Sequence, residues 1–260
     1  MENFSFIEYF LQKHGCLVFQ PIYFSSSASQ NGLRLYGMEV LTRFSTNVNL
    51  PDFFSMLHEK PLKLFGFYRW QCENLLKVKE YFLSTGIKLF INFFPRALLY
   101  VPVYRFLERL EKEFNEKIVI EITEAGFSAG SDFLMQFLKD LKREFKNTKI
   151  FIDDFGSGET GAFYQFICED VVDGIKLDKR YLDLMLKGNK KARVIVEHTV
   201  SMARRIGLEV CMEGIENRDG YEITRRLGIS LLQGFYLGKP EKFQREKFLK
   251  ALRVPEVEEA

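Results

Sequence analysis

The chain has 260 residues, with 37 Lys and Arg against 35 Asp and Glu, and a net charge of +2. Charge this balanced argues against DNA binding by bulk electrostatics, and four scattered cysteines without a CxxC pair argue against a disulfide framework or structural zinc. Cys16, Cys72, Cys168 and Cys211 read instead as reduced, mostly buried thiols, and the expected setting is cytoplasmic. There is no signal-peptide pattern at the N-terminus and no apolar run of membrane-spanning length, so no membrane span is expected.

After a short amphipathic lead-in, residues 16–24 predict a strand, 25–32 a Ser-rich turn and 33–44 the returning strand. Short apolar runs follow at 87–93, 118–122, 150–152, 174–177, 208–212 and 230–232. Segments with helical periodicity separate them. Residues 132–145 carry Phe133, Leu134, Phe137, Leu138 and Leu141, and residues 191–206 carry Val194, Ile195, His198 and Met202. Strand–helix alternation of this kind implies βαβ units and a mainly parallel sheet. With the opening hairpin the strands number about eight, which closes a (β/α)8 barrel. No Pro- or Gly-rich linker divides the chain, so residues 1–260 are expected to form a single domain.

Polar residues stand where the apolar runs end: Glu39 and Arg43, Asn92, Glu121 and Glu124, Asp153 and Asp154, Lys176 and Asp178, Glu213 and Glu216, and Gln233. One acid after a strand is ordinarily a helix N-cap. A succession of strands that each deliver an acid or an amide points to a shared site at the carboxyl-end rim of the barrel. Adjacent acids on a regular strand face opposite sides, so Asp153 and Asp154 can share a site only at a strand end or turn. Two carboxylates so placed repel unless a proton or a cation lies between them. Oxygen donors without histidine or thiolate suit Mg²⁺ or Mn²⁺, and the number of acids suggests two ions. Such a pair serves phosphoryl chemistry. Lys176 reads either as a contact to nucleophile or phosphate, or as a salt bridge to Asp178 or Glu213.

Residues 156–161, Gly-Ser-Gly-Glu-Thr-Gly, match the GxGxxG dinucleotide pattern after a strand. That pattern works by offering backbone amides to an anionic pyrophosphate. Asp153 and Asp154 immediately upstream would repel the anion, which argues against a nicotinamide cofactor.

At these residues the chain resembles the EAL-domain phosphodiesterases, which hydrolyse cyclic di-GMP to linear pGpG. The resemblance runs from about Val18 to Pro240. It rests on Phe19-Gln-Pro-Ile22, Gly37-Met-Glu-Val-Leu-Thr-Arg43, Ile91-Asn92, Glu121-Ile-Thr-Glu124, Asp153-Asp-Phe-Gly156, Lys176-Leu-Asp178, Glu213-Gly-Ile-Glu216 and Gln233-Gly-Phe-Tyr236. It implies a TIM-like barrel with one antiparallel strand and a cytoplasmic signalling enzyme that is a homodimer. Glu39, Asn92, Glu121 and Asp153 would hold one divalent cation, and Asp153 would bridge to a second, also held by Asp154. Glu213 would also stand among the metal ligands and would orient or help deprotonate the attacking water, with Lys176 contacting that water. Gln233 and Glu216 would hold the cluster in shape, and Glu124 would anchor the loop after the Asp pair. Arg43, with Gln20 and Asp178, would contact substrate.

The chain departs from the family pattern at Val40, Phe94 and Met212, and most of all at residues 158–161, which read Gly-Glu-Thr-Gly. Phe94 and Met212 are expected to narrow the rim. The altered loop keeps an alternative open, a weak or inactive EAL domain that serves as a cyclic di-GMP receptor or protein-interaction module. A barrel phosphatase with an unrelated substrate is a third reading.

Overall fold

A computed structural model of the chain describes residues 2–25, 32–58, 60–123, 131–156 and 160–252. The strands are β1 (Gly15–Ser25), β2 (Leu33–Phe44), β3 (Lys88–Phe93), β4 (Ile118–Thr123), β5 (Lys149–Phe155), β6 (Gly174–Leu177), β7 (Glu209–Met212), β8 (Leu231–Gln233) and β9 (Glu241–Lys242). The helices up to β5 are α1 (Glu2–His14), α2 (Leu50–His58), α3 (Pro61–Leu76), α4 (Lys79–Thr85), α5 (Pro95–Leu98), α6 (Val101–Glu113) and α7 (Ser131–Glu144). Beyond it come α8 (Thr160–Cys168), α9 (Lys179–Leu186), α10 (Lys190–Arg205), α11 (Arg218–Arg226) and α12 (Arg245–Leu252).

Strands β2 to β8 pair in parallel, and β1 closes the ring by pairing antiparallel with both β2 and β8. The result is the predicted TIM-like barrel with one reversed strand. The short β9 pairs with β1 outside the ring, Val18 opposite Lys242 and Phe19 opposite Glu241, and the sequence reading missed it.

Strand periodicity builds the interior in two levels, because residues two apart share a face. The lower level is apolar: Ile22, Phe90, Val119, Phe151, Cys211 and Leu231, all fully buried. Glycines make room for its two rings. A Cβ on Gly37 would fall 2.5 Å from the Phe90 ring, and one on Gly174 would fall 2.4 Å from the Phe151 ring. Two residues further along the strands the inward side chains turn polar, and this upper level is the site described below.

The larger apolar core lies between barrel and helices. Its inner wall comes from outward-facing strand residues such as Ile91, Ile120, Ile152 and Ile175. Met212 belongs to this layer, fully buried, which corrects the expectation that it narrows the rim. Phe94 does sit past the end of β3, where its ring meets Phe54 of α2 edge-on at 5.8 Å. Two helix faces also differ from expectation. In α10 the buried residues are Ala192, Val196, Val200 and Ala203, while Val194 and Ile195 are half exposed. In α7 Leu134, Met135, Leu138 and Leu141 are buried, and Phe133 is exposed. All four cysteines are free, with Cys72 and Cys211 buried and Cys168 exposed.

Candidate active site

The upper level gathers Glu39 of β2, Asn92 of β3, Glu121 of β4, Asp153 of β5 and Lys176 of β6 with Gln233 of β8 and with Glu213, which directly follows β7. Lys176 is at its centre, fully buried, and its ammonium faces four carboxylates. Nζ lies 2.7 Å from Glu121 Oε1, 2.7 Å from Glu213 Oε1, 3.1 Å from Asp153 Oδ1 and 3.4 Å from Glu39 Oε2. Of the two salt-bridge partners foreseen for Lys176, Glu213 is present and Asp178 is not. Glu39 is held from both sides, by Asn92 Nδ2 donating to Oε1 at 3.0 Å and Gln233 Nε2 donating to Oε2.

Asp154 joins this group through an irregularity in β5. The pairing of β5 with β6 shifts between Ile152 and Phe155, and Asp154 takes φ 54°, a left-handed backbone that non-glycine residues seldom adopt. A bulge of this sort re-aims a side chain. Both adjacent acids therefore reach one site, and Asp153, Asp154 and Glu213 each place an oxygen within 4.8 Å of the others. Gly156, at φ 90°, completes the turn.

Burial and mutual repulsion leave these acids short of positive charge. Burial is the main force raising the Glu121 carboxyl well above its usual range, with Lys176 opposing and Glu39 and Asp153 adding to it. Burial likewise raises Asp153. It pushes Glu213 to about 8 against the pull of Lys176. Asp154 rises to about 6, first from burial and then from Asp153 and Asp178. Glu39 is the exception. Burial works against it too, yet Lys176 and the hydrogen bonds from Gln233 and Asn92 keep it low. Lys176 is driven far up, since four carboxylates outweigh its burial.

Four carboxylates thus share one ammonium, and a fifth, Asp154, adjoins them. Glu121 Oε1 and Asp153 Oδ1 have only the shared Lys176 ammonium to face, and Glu121 Oε2 is buried without a partner among the described residues. An excess of buried carboxylate of this kind is relieved by protons or by further cations, and the all-oxygen donor set fits a hard divalent ion. Glu39, Asn92, Glu121, Asp153, Asp154 and Glu213 are the residues able to hold such ions, and the last three already bring their oxygens within 4.8 Å of one another.

The remaining predicted residues lie around this centre. Gln20 is buried opposite Glu39 on β1 and donates to Gly238 O at 3.3 Å. Arg43 is exposed on β2, past the stretch that pairs with β3, with Nη1 on Thr42 O at 2.9 Å. Asp178 caps α9, accepts hydrogen bonds from Arg180 and sits against Asp154. Glu216 is half exposed and ion-paired with Lys179, outside the ring of acids. Glu124 and residues 157–159 fall outside the described residues. Lys179 and Tyr181, which touch the site loops from α9, were not foreseen. Neither is at a strand end, the one signal the sequence offered.

A closed parallel barrel with one reversed strand and an acid-lined carboxyl-end mouth defines the class of molecule. The profile of the EAL domain family matches residues 7–240, and the chain belongs to that family. It is 28% identical over 244 residues to the cyclic di-GMP phosphodiesterase PdeL of Escherichia coli K12, an alignment covering 89% of this chain and 65% of PdeL. It is 25% identical to the cyclic di-GMP phosphodiesterase RocR of Pseudomonas aeruginosa, over 84% of this chain and 56% of RocR. The chain therefore spans less than two thirds of the length of these relatives. Among solved structures, an EAL domain protein from Listeria monocytogenes superposes with TM-score 0.74 at 21% identity, covering 98% of this chain and 99% of that one. A cyclic di-GMP complex of the PaMucR phosphodiesterase superposes with TM-score 0.78 at 20% identity, covering 95% and 99%. No helix among the described residues is long and apolar enough to cross a membrane.

Proposed function

We propose that this chain hydrolyses cyclic di-GMP to linear pGpG with two divalent cations, Mg²⁺ or Mn²⁺, at the barrel mouth. The observation that carries the reading is the ring of four carboxylates around the buried Lys176 ammonium, with Asp154 beside them. Relatives named as cyclic di-GMP phosphodiesterases over most of this chain support the substrate. Glu39, Asn92, Glu121, Asp153, Asp154 and Glu213 would hold the cations, which would supply charge to offset the acids and Lewis acidity toward water and phosphodiester.

The chain's own residues do the rest. Glu213 takes the proton of the attacking water, since its raised carboxyl range suits a general base near neutral pH. Lys176 fixes Glu213 and Asp153 in place and steadies the water between them. Gln233 and Asn92 lock the Glu39 carboxylate in one orientation. Arg43 grips a substrate phosphate with its planar guanidinium, and Gln20 and Asp178 border the same opening. Attack in line with the scissile bond expels the ribose 3′-oxygen and leaves the linear dinucleotide. A homodimer belongs to this reading, supported by the half-exposed Tyr164 on α8 and Val194 and Ile195 on α10.

The test is incubation of the full chain with cyclic di-GMP and each cation, followed by chromatography of the nucleotides. The expected product is pGpG, absent when EDTA is added. Binding of cyclic di-GMP without any pGpG would transfer the chain to the receptor reading.

A further inference from the structure

Asp154 reaches the cation site only because the backbone turns left-handed at Asp154 and again at Gly156. An isolated left-handed non-glycine residue is a conformation its surroundings must hold. The surroundings here are the first turn of α9. Tyr181 lies directly across Gly156: a Cβ there would meet the hydroxyl at 2.3 Å and Cε2 at 2.8 Å, and the hydroxyl donates to Gly156 O at 3.4 Å. On the same turn Asp178, the helix N-cap, is hydrogen-bonded to the Asp154 carboxyl. Lys179, next to it, packs 2.5 Å from where a Cβ on Gly214 would stand and pairs with Glu216. One helix turn therefore touches the loop of Asp154 and the loop that follows Glu213.

We propose that Tyr181 is a positioning residue whose ring and hydroxyl lock the left-handed turn at 154–156 and so aim Asp154 at the cation site. This rests on the divalent-cation reading above and is independent of which phosphodiester is the substrate. A side chain at Gly156 would run into the Tyr181 ring and hydroxyl, so ring and turn are packed against each other. Without the ring, Asp154 would return toward regular strand geometry and face away from Asp153.

The experiment is Mn²⁺ titration of the full chain by calorimetry, comparing wild type, Tyr181→Phe, Tyr181→Ala, Asp154→Ala and the double Asp154→Ala/Tyr181→Ala variant. Loss of a group that orients a ligand typically weakens metal binding by about tenfold or more, which is the effect expected for Tyr181→Ala. Tyr181→Phe keeps the ring and should lose about two- to threefold, in line with one long hydrogen bond. The double variant should bind no more weakly than Asp154→Ala alone, since a residue that acts only through Asp154 has nothing left to position. Wild-type Mn²⁺ affinity in Tyr181→Ala, or losses that multiply in the double variant, would overturn the proposal. Should Tyr181→Ala fail to fold by circular dichroism, an affinity unchanged in Tyr181→Phe overturns it instead. Cyclic di-GMP turnover is read separately. Loss of the substrate reading leaves the Mn²⁺ pattern intact, and an unaltered Mn²⁺ pattern in an active enzyme sinks only the role of Tyr181.

Discussion

Lys176 Nζ stands 2.7 Å from Glu121 Oε1, and both side chains are wholly buried in the barrel. Neither could be there alone, because a buried charge without its partner carries a penalty of several kcal/mol. The ammonium is the structural counter-charge that lets acids from several strands converge.

Replacing Lys176 by Met should therefore destabilise the cation-free protein by ~3–5 kcal/mol, the usual cost of breaking a buried pair from one side. Urea denaturation in EDTA measures this. Adding Mn²⁺ should restore more stability to the variant than to wild type. Equal stability of the two proteins in EDTA would show that the acids do not depend on Lys176.

Asp153→Asn keeps shape and removes a charge from the oxygen group that Asp153 forms with Asp154 and Glu213. Hydrolysis of cyclic di-GMP should fall by at least ~100-fold, with kcat affected more than KM, because the carboxylate acts on the reacting centre. Wild-type turnover in this variant would contradict the two-cation assignment.

The lower level of the barrel yields a packing prediction. Gly174→Ala would set a methyl 2.4 Å from the fully buried Phe151 ring. Overpacking of this sort costs ~1–3 kcal/mol, readable as a lower urea midpoint at unchanged slope. Adding Phe151→Leu should recover part of the loss.

Away from the site, Glu111 of α6 is completely buried, with Thr148 beside it as a side-chain hydrogen-bond donor. Burial pushes its carboxyl to about 8, with Glu116 adding to this and Thr148 and Lys88 opposing. The folded value lies above the unfolded one, so between pH 4.5 and about 8 the native state holds more protons. Stability from this group is thus full below that window and is lost as pH rises through it. Glu111→Gln removes the dependence. Its advantage over wild type in urea denaturation should grow by ~1.4 kcal/mol per pH unit across the window, to ~4 kcal/mol. A constant difference from pH 5 to 8 would show that Glu111 is ionised throughout.

Much of this architecture is visible in the chain because strand periodicity is short and strict. The eight barrel strands announce themselves as apolar runs, and several polar residues at their ends take inward places two residues above an apolar one, as Asn92 does above Phe90 and Asp153 above Phe151. Helix faces were harder to read. In α10 the small Ala192 and Ala203 face the barrel while the bulkier Val194 and Ile195 face solvent, so residue type misled where phase decides. Backbone handedness left no trace in composition. Nothing in Asp-Asp-Phe-Gly marks Asp154 as left-handed, and the turn depends on Tyr181, distant in sequence. Glu216 was read as part of the cluster from its motif alone, yet its partner is Lys179, an ion pair that only the fold creates. The two-residue β9 is too short for any periodicity.

The most direct test of the site is anomalous diffraction from crystals soaked in MnCl₂. Two Mn²⁺ peaks should appear at the barrel mouth, one among Glu39, Asn92, Glu121 and Asp153, the other shared by Asp153 and Asp154. Ordered acids in the arrangement described, with no anomalous density among them, would contradict the account.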